Sequence, residues 1–456
     1  MTAYLRALKR SLVGDAATPL VLVCNFEVER QWAAGHVGLP GVALASAPAV
    51  VQSMEQLGAL LAGPDDYLVL KRPLDEGYLR YVEGLGFAPP TVLVPERTAD
   101  GRSTTEDALD SPRLLAALAE LGRGGARLLP MGASSAEQKL SEACSLPLAG
   151  ADAATAERVN GKIYGRRLTA KLGLREIPGH CCETVAQFEA ALAGLAPDRP
   201  LVVKDAYGVS GRGLVVLDSP AKAAGLRRMV ARRAAKTGED RLEVVVEQWI
   251  ERRADLNYQL TVAGDGAVAF DFVKAARTEG GVHKGHVMPP DLRPDQLEEI
   301  EHAARSVGAA LYRDGFVGVA GVDAIVSTGG TLYPVLEINA RLNMSTYQGS
   351  VVERAQRPGH AGLARHYTLR LAGSVPFDRI RAALDRVERA EPTDVIATCF
   401  GTLNAGAPGA GAAGAGAPFD GRLYVMLFAP DRAGLTALDA RVHESLAAVP
   451  DVLEVR

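Results

Sequence analysis

The sequence predicts a mixed architecture: a Rossmann-like parallel α/β layer, then an α+β stretch with antiparallel hairpins, then a small α/β ending. Three observations predict it. Short apolar runs at 19–26, 66–73, 90–96 and 126–132 alternate with helical segments such as SPRLLAALAEL, and strands separated by helices imply βαβ crossovers and a parallel sheet. From about residue 155 the texture changes, and the turn signals AGDGA and Thr328-Gly329-Gly330 join strands in antiparallel pairs. A chain of 456 residues is also too long for one core, at roughly 150 residues per domain. The expected units are 1–150, 151–372 and 373–456.

In the first unit the turn after the first strand reads CNFEVER instead of a glycine-rich fingerprint, so no dinucleotide site is expected there. In the second, NGKIYGRRLTAKLGL predicts a helix with Asn160 as its cap and Gly173 near its end. A helix over 185–195, a strand over 201–204, a glycine-rich turn, the strand GLVVL, a basic helix over 220–236 and the strand LEVVVEQWI follow. The hairpin NYQLTVAG/AVAFDFVK comes next, then a helix over 294–313 and the paired strands GFVGVAGVDAIVS and TLYPVLEINA. The third unit holds a helix over 376–390, the strands VIATCFGTLN and RLYVMLFAP, a helix and the short ending DVLEV. Its Gly/Ala-rich segment, 405–418, reads by default as a flexible loop.

With 50 Lys+Arg against 54 Asp+Glu, a net charge of −4 and no basic block interleaved with aromatics, nucleic acid is not an expected partner. No run reaches the roughly 18 to 20 apolar residues of a membrane span, and Asp15 and Pro19 interrupt what would be a secretory h-region. A soluble, cytoplasmic protein with no membrane partner is expected. Cys24, Cys144, Cys181, Cys182 and Cys399 form no metal-ligand spacing and no even disulfide framework, which fits packing roles in a reducing compartment. The adjacent Cys181 and Cys182, counted with the helix boundary IPGHCCET, are poorly placed to bond each other.

The stretch PVLEINARLNMSTYQG (334–349) carries the chemistry. On an extended strand Glu337, Asn339 and Arg341 project to one face, and the turn at 328–330 folds back a strand holding Asp323, in a register that sets Asp323 opposite Glu337. Two carboxylates and an amide converging on one face repel unless a hard cation sits between them, and such oxygen ligands suit Mg²⁺. Arg341 then meets a transferring phosphoryl group. Taken alone, Asp323 and Glu337 read equally well as solvent-face residues of half-buried strands.

Two further constellations shift that balance. LVVKDAYGVSGRGLVVL places Lys204 on a strand ahead of a turn with Gly208, Ser210, Gly211 and Gly213; glycines let a backbone approach phosphate closely, and Ser210 adds a hydroxyl donor. It is neither a Walker loop nor a Rossmann fingerprint, since a strand follows it and no G-K-[ST] helix start is present. LEVVVEQWIE is an apolar strand ending in Glu247 and an extended linker whose backbone groups suit adenine, with Asp255 placed for ribose hydroxyls. Standing alone, Trp249 and Ile250 read as core and Glu247 as surface.

In chain order these are Lys162 at a helix start, Lys204, a glycine hairpin, Glu247, and a carboxylate pair with Asn339 and Arg341. The order resembles the ATP-grasp superfamily of carboxylate–amine ligases over roughly residues 155–350. Glu337-Ile-Asn-Ala-Arg341 is similar to the Glu-x-Asn-x-Arg metal strand of the biotin carboxylase branch. The leading Rossmann-like unit and EINARLNMSTYQG resemble the peptide ligases of actinobacterial natural-product pathways, of the pheganomycin type. The resemblance implies an ATP-grasp fold over 151–372, preceded by a pre-ATP-grasp domain over 1–150 and followed by a small α/β lid domain over 373–456. It implies an ADP-forming ligase that joins an amino acid or peptide carboxylate to an amine through an acyl-phosphate; a small-molecule kinase on the same scaffold is the alternative.

By position, the resemblance assigns Lys162 and Lys204 to the ATP phosphates, Lys204 also to the adenine edge, and Gly208, Ser210, Gly211 and Gly213 to the loop covering the phosphates. It places Glu247 and the backbone of Gln248 and Ile250 at adenine, Asp255 at ribose, and Asp323, Glu337 and Asn339 on Mg²⁺, usually two ions. Arg341 stands at the acyl-phosphate. One departure is Gly321, where the D-alanine–D-alanine ligase branch has an arginine. Its task falls to Arg341 with help from a cation among Lys274, Arg277, His283, Lys284 and His286, and Lys284 is the choice. His283 and His286 have a metal-like spacing without a third ligand, so zinc is not expected. Asn343, Ser345 and Tyr347 lie near enough in sequence to touch an acceptor, and a homodimer is implied.

Overall fold

The computed structural model describes every residue except 41–48, 196–198, 209–212, 280–281 and 408–416. Four short apolar runs become β1 (Leu20–Val23), β2 (Tyr67–Val69), β3 (Thr91–Leu93) and β4 (Arg127–Pro130), paired in parallel in the order β3-β2-β1-β4. All of β1 is buried, as a parallel strand covered on both faces must be. The chain leaves β1 toward β2 on one side while β4 lies on the other, so the carboxyl ends of β1 and β4 form the topological switch point, where such sheets have their crevice.

The second sheet is antiparallel: β5 (Gly179–Thr184), β6 (Leu201–Asp205), β7 (Leu214–Leu217) and β8 (Arg241–Gln248), in the order β5-β8-β6-β7. Phe188 and Val230, from the helices Val185–Gly194 and Pro220–Thr237, share a core with Val203 and Val244 of this sheet.

The third sheet contains β9 (Arg252–Val262), β10 (Val268–Glu279), β11 (Val282–Met288), β12 (Gly318–Ser327), β13 (Leu332–Asn339), β14 (Ala361–Leu371), β15 (Val395–Cys399), β16 (Phe419–Ala429) and β17 (Val452–Val455). Its order is β13-β12-β9-β10-β11-β14-β16-β15, with β17 on β14. Leu256, Tyr258, Leu260, Ala320 and Val322 form one apolar face that packs on Ile300, Val307 and Leu311 of the helix Pro294–Arg313. Alternation along the strands therefore turns Asn257, Gln259, Gly321 and Asp323 to the other face. Strands from the segment 373–456 extend this same sheet, β16 and β17 both pairing with β14. A common core runs from Leu22, Leu68 and Tyr78 through Tyr347 and Val351 of the helix Met344–Ala355 to Leu369 and Met426, fixing the first sheet against the third.

Several local expectations are corrected. Asn160 does not cap a helix: Gly161 takes an extended backbone (φ −69°, ψ 132°) and separates the helix Ala153–Asn160 from the helix Lys162–Lys171. The Asn160 amide instead donates to the carbonyls of Ala156 at 2.7 Å and Ala340 at 3.2 Å. Gly173, at φ +65°, does lie just past the end of that second helix. Cys181 and Cys182 sit on β5, just before Thr184 caps the helix Val185–Gly194, and all five cysteines are free. The helix expected over 376–390 is shorter, Phe377–Asp385. No described helix is long and apolar enough to cross a membrane.

Candidate active site

In the β12–β13 pair Asp323 stands opposite Glu337 and Gly321 opposite Asn339, the expected register. On the other side of β12, β9 sets Asn257 opposite Asp323, and β10 sets Lys274 opposite Asn257. Opposed residues on neighbouring antiparallel strands share a face. Lys274, Asn257, Asp323 and Glu337 thus form one row across four strands, on the face away from Tyr258 and Leu260. Asn257 Nδ2 donates to Asp323 Oδ1 at 2.8 Å, and Asn339 Nδ2 donates to Oδ2 at 3.3 Å. Burial, and then the neighbouring Glu337 charge, push the Asp323 carboxyl up to about 6. Lys162 supplies a cation to the pair: its Nζ lies 2.7 Å from Glu337 Oε1 and also donates to the Gly208 carbonyl at 2.7 Å.

This donor set fits a hard divalent cation. Two carboxylates and an amide share one face, and oxygen donors of this kind suit Mg²⁺; among the described residues no three His, Cys, Asp or Glu side chains group together.

The residues expected around the nucleotide are brought together, but with partners the sequence did not reveal. Glu247 is 5% exposed, not a surface residue, and its carboxylate is clamped by Lys204 Nζ at 2.6 Å and Arg166 Nη1 at 2.6 Å. Lys204 is therefore paired to an acid instead of standing open. Arg166, which also donates to the Ile177 carbonyl at 2.6 Å, was missed; its position four residues after Lys162, on the same helix face, was the available signal. The Gln248 N–H donates to the Pro178 carbonyl at 2.9 Å, which leaves its carbonyl as the backbone group to be considered at an adenine edge, and Ile250 lies two residues past the end of β8. Asp255 is paired with Arg252 at 2.8 Å. Gly213 has φ +78°, and a Cβ there would lie 2.6 Å from Asp205 Oδ2, so this turn requires glycine. Ser210 and Gly211 lie outside the described residues, and so do the side chains of Lys284 and His283.

Arg341 leaves the end of β13 and turns to the first unit. Its Nε donates to Glu29 Oε1 at 2.7 Å and its Nη2 to the same oxygen; Nη2 also reaches Asn339 Oδ1 at 3.2 Å, and Nη1 the Leu342 carbonyl at 3.2 Å. Glu29, 312 residues away in sequence, gave no signal. Gly321 also has a local explanation: a Cβ there would sit 2.6 Å from Asn343 Nδ2. Asn343 fills that space and caps the helix Met344–Ala355, accepting from the Ser345 and Thr346 N–H groups at 2.8 and 3.2 Å. Ser345 and Tyr347 are each 1% exposed, which corrects their placement at an acceptor; the Tyr347 ring packs on Phe26 at 5.4 Å.

Beside the row, Gln259 donates to Asp271 at 2.6 Å and accepts from Thr346 Oγ1 at 2.6 Å. Asn257 and Gln259 alternate on β9 as Glu337 and Asn339 do on β13, a period-two signal that could have found them. Lys274 is 2% exposed and among the described residues meets Gln348 Oε1, at 3.0 Å, and the face of Phe272, at 4.4 Å; burial brings its ammonium down to about 7. A cavity of about 650 Å³ lies on the opposite face of the helix Lys162–Lys171, lined by His36, Ile163, Tyr207 and Glu243, and contains none of the row.

Comparison with known proteins gives two family matches: a pre ATP-grasp domain over residues 55–146, and the carbamoyl-phosphate synthase L chain ATP binding domain over residues 162–352. A [butirosin acyl-carrier protein]–L-glutamate ligase from Niallia circulans is 29% identical over 198 residues, 43% of this chain and 46% of that protein. A formate-dependent phosphoribosylglycinamide formyltransferase from Cupriavidus metallidurans is 32% identical over 165 residues, 34% of this chain and 39% of that one. The matched segment thus spans less than half the length of either relative. Among solved structures, a biotin carboxylase from Campylobacter jejuni superposes with a TM-score of 0.57 at 12% identity, covering 96% of this chain and 92% of that one, which speaks to the fold alone.

Proposed function

We propose, from the premise that the chain belongs to the ATP-grasp superfamily and carries a pre-ATP-grasp domain ahead of its ATP-binding domain, that it is an ADP-forming ligase. In this reading it joins an amino acid or peptide carboxylate to an amine, in a natural-product pathway, through an acyl-phosphate. The observation that carries it is the Asp323–Glu337 register with Asn339 and Arg341 at its end. Two relatives are named for carboxylic acids, L-glutamate and formate, which supports a carboxylate as the group activated. The three units are taken as 1–150, 151–372 and 373–456.

A carboxylate is a poor electrophile; phosphorylation by ATP gives its carbon a good leaving group, an amine adds, and phosphate departs. Asp323, Glu337 and Asn339 would hold Mg²⁺, two ions in this reading, which would supply positive charge to offset that of the phosphates and the carboxylate. Lys162 and Lys204 bring cations to the nucleotide, and Glu247 with Arg166 fixes where Lys204 points. Gly208 and Gly213 are assigned to the phosphates and Asp255 to the ribose. Arg341 is assigned to the acyl-phosphate, whose negative charge fixed donors stabilise without reorganising, with Lys284 of β11 assigned beside it.

The test is ADP and Pi release with Mg·ATP across pooled amino acids and short peptides, with the same pools read by mass for new amides. Turnover that needs both a carboxylate and an amine, and that Glu337→Gln abolishes, supports the ligase. ADP formed with a phosphorylated product and no amide makes the protein a kinase instead.

A further inference from the structure

The first unit offers no glycine-rich nucleotide turn, yet one of its side chains reaches Arg341 just past β13. Glu29 lies in the first turn of the helix Val28–Ala33, just past the carboxyl end of β1. The crevice between β1 and β4 is where the strand order reverses, and open α/β sheets take ligands at such points. Its floor is fixed. Asn25 Nδ2 donates to the Gly132 carbonyl at 2.8 Å, the Gly132 N–H donates to Asn25 Oδ1 at 3.3 Å, and the Leu342 N–H donates to the Met131 carbonyl at 2.8 Å. The chain beyond β13 is thereby stitched to the end of β4, and Arg341 is delivered to Glu29.

Both contacts from Arg341 fall on Glu29 Oε1, while Oε2 has no partner among the described residues. Glu29 and Arg341 are 15% and 12% exposed, so the pair is sheltered but not sealed. An arginine placed for a substrate anion exchanges its resting carboxylate for that anion when substrate arrives, because both compete for the same N–H donors. The displaced carboxylate is then a negative group at the mouth of the crevice, suited to a cation. An acceptor amine arrives at neutral pH as an ammonium ion.

We propose that Glu29 selects the acceptor: its carboxylate receives the ammonium of the incoming amine at the β1–β4 crevice, beside Arg341. This assignment rests on the ligase reading above. It makes Glu29 a specificity-determining residue supplied by the pre-ATP-grasp domain, and it gives that domain a part in choosing the substrate.

The test uses the full chain as wild type, Glu29→Gln and Glu29→Asp, with Mg·ATP and pooled amino acids and short peptides as carboxylate donors. Two acceptors are compared: the amines of the same pools, which enter charged, and hydroxylamine, which is uncharged at neutral pH and traps an acyl-phosphate as a hydroxamate. Glu29→Gln is expected to raise the amine concentration needed for half-maximal amide formation by about 10- to 100-fold, the range for losing a hydrogen bond to a charged group. Hydroxamate formation should stay within a few-fold of wild type, and Glu29→Asp should recover part of the amine dependence. Equal loss of hydroxamate and amide would mean that Glu29 only holds Arg341 in place, and overturns the assignment, as does an unchanged amine dependence in Glu29→Gln. A wild-type protein that makes neither product sinks the ligase reading itself, a failure told apart from the others by the wild-type control.

Discussion

Lys274→Met should stabilise the protein at neutral pH, by an amount that shrinks as pH rises. Lys274 is 2% exposed with no carboxylate among the described residues at ion-pair distance, and burial lowers its ammonium from 10.5 to about 7. In the unfolded chain the group keeps its ordinary value, so between pH 7 and 10.5 the unfolded state binds more protons and wild-type stability rises with pH. Each pKa unit is worth about 1.4 kcal/mol. Integrating the shift gives a cost of about 4 kcal/mol at pH 7 and under about 1 kcal/mol at pH 10. Methionine removes that cost but leaves Gln348 Oε1 without its donor, a loss of about 1–3 kcal/mol. The net expectation is a gain of roughly 1–3 kcal/mol at pH 7 that vanishes or reverses by pH 10. Urea unfolding of both proteins at the two pH values, read at the first transition, measures it. A variant less stable than wild type at pH 7, or a difference that does not change with pH, would refute the claim that this ammonium is buried without a counter-charge.

The remaining expectations concern the site and its supports. Glu337→Gln should cut ADP release by at least about 100-fold and abolish the part of the Mg·ATP thermal shift that depends on Mg²⁺, measured by melting with and without EDTA; an undiminished Mg²⁺-dependent shift argues against the metal assignment. Glu247→Gln strips a charged partner from both Lys204 and Arg166, each under 15% exposed. Removing one member of a buried pair costs about 3–5 kcal/mol, so melting temperature and ATP affinity should fall together. His36 bridges Glu157 at 3.2 Å and Glu243 on β8, while the Val37 carbonyl accepts from the Glu243 N–H at 2.8 Å. His36→Ala should loosen this attachment of the first unit to the second sheet, and amide exchange in β8 should quicken by roughly tenfold, about 1 kcal/mol of local stability; unchanged exchange there would show that the backbone contact alone holds the strap.

Much of the site was legible because it is local. Glu337, Asn339 and Asp323 lie on two strands joined by a short turn, so alternation and turn length fix which faces they share and which residues stand opposite. The parallel first sheet was likewise legible from apolar runs spaced by helices. What the sequence did not reveal are partners set by contacts between distant segments: Glu29 on Arg341, Arg166 on Glu247, and Asn257 beside Asp323. Asn160 was misread because the propensity for a cap says nothing of Gly161, whose extended backbone breaks the helix one residue later.

The sequence by itself determined most element types and the register that sets Asp323 opposite Glu337, because these follow from periods of two and 3.6 residues and from a short turn. The tertiary structure alone decided which charges are satisfied. Whether Lys204 stands open or is clamped, whether Lys274 is solvated or buried, and whether Arg341 faces the first unit depend on which surfaces the packed core brings within a few ångströms. Electrostatic interactions fall off with distance and strengthen with burial, and neither quantity is written in the order of residues along the chain.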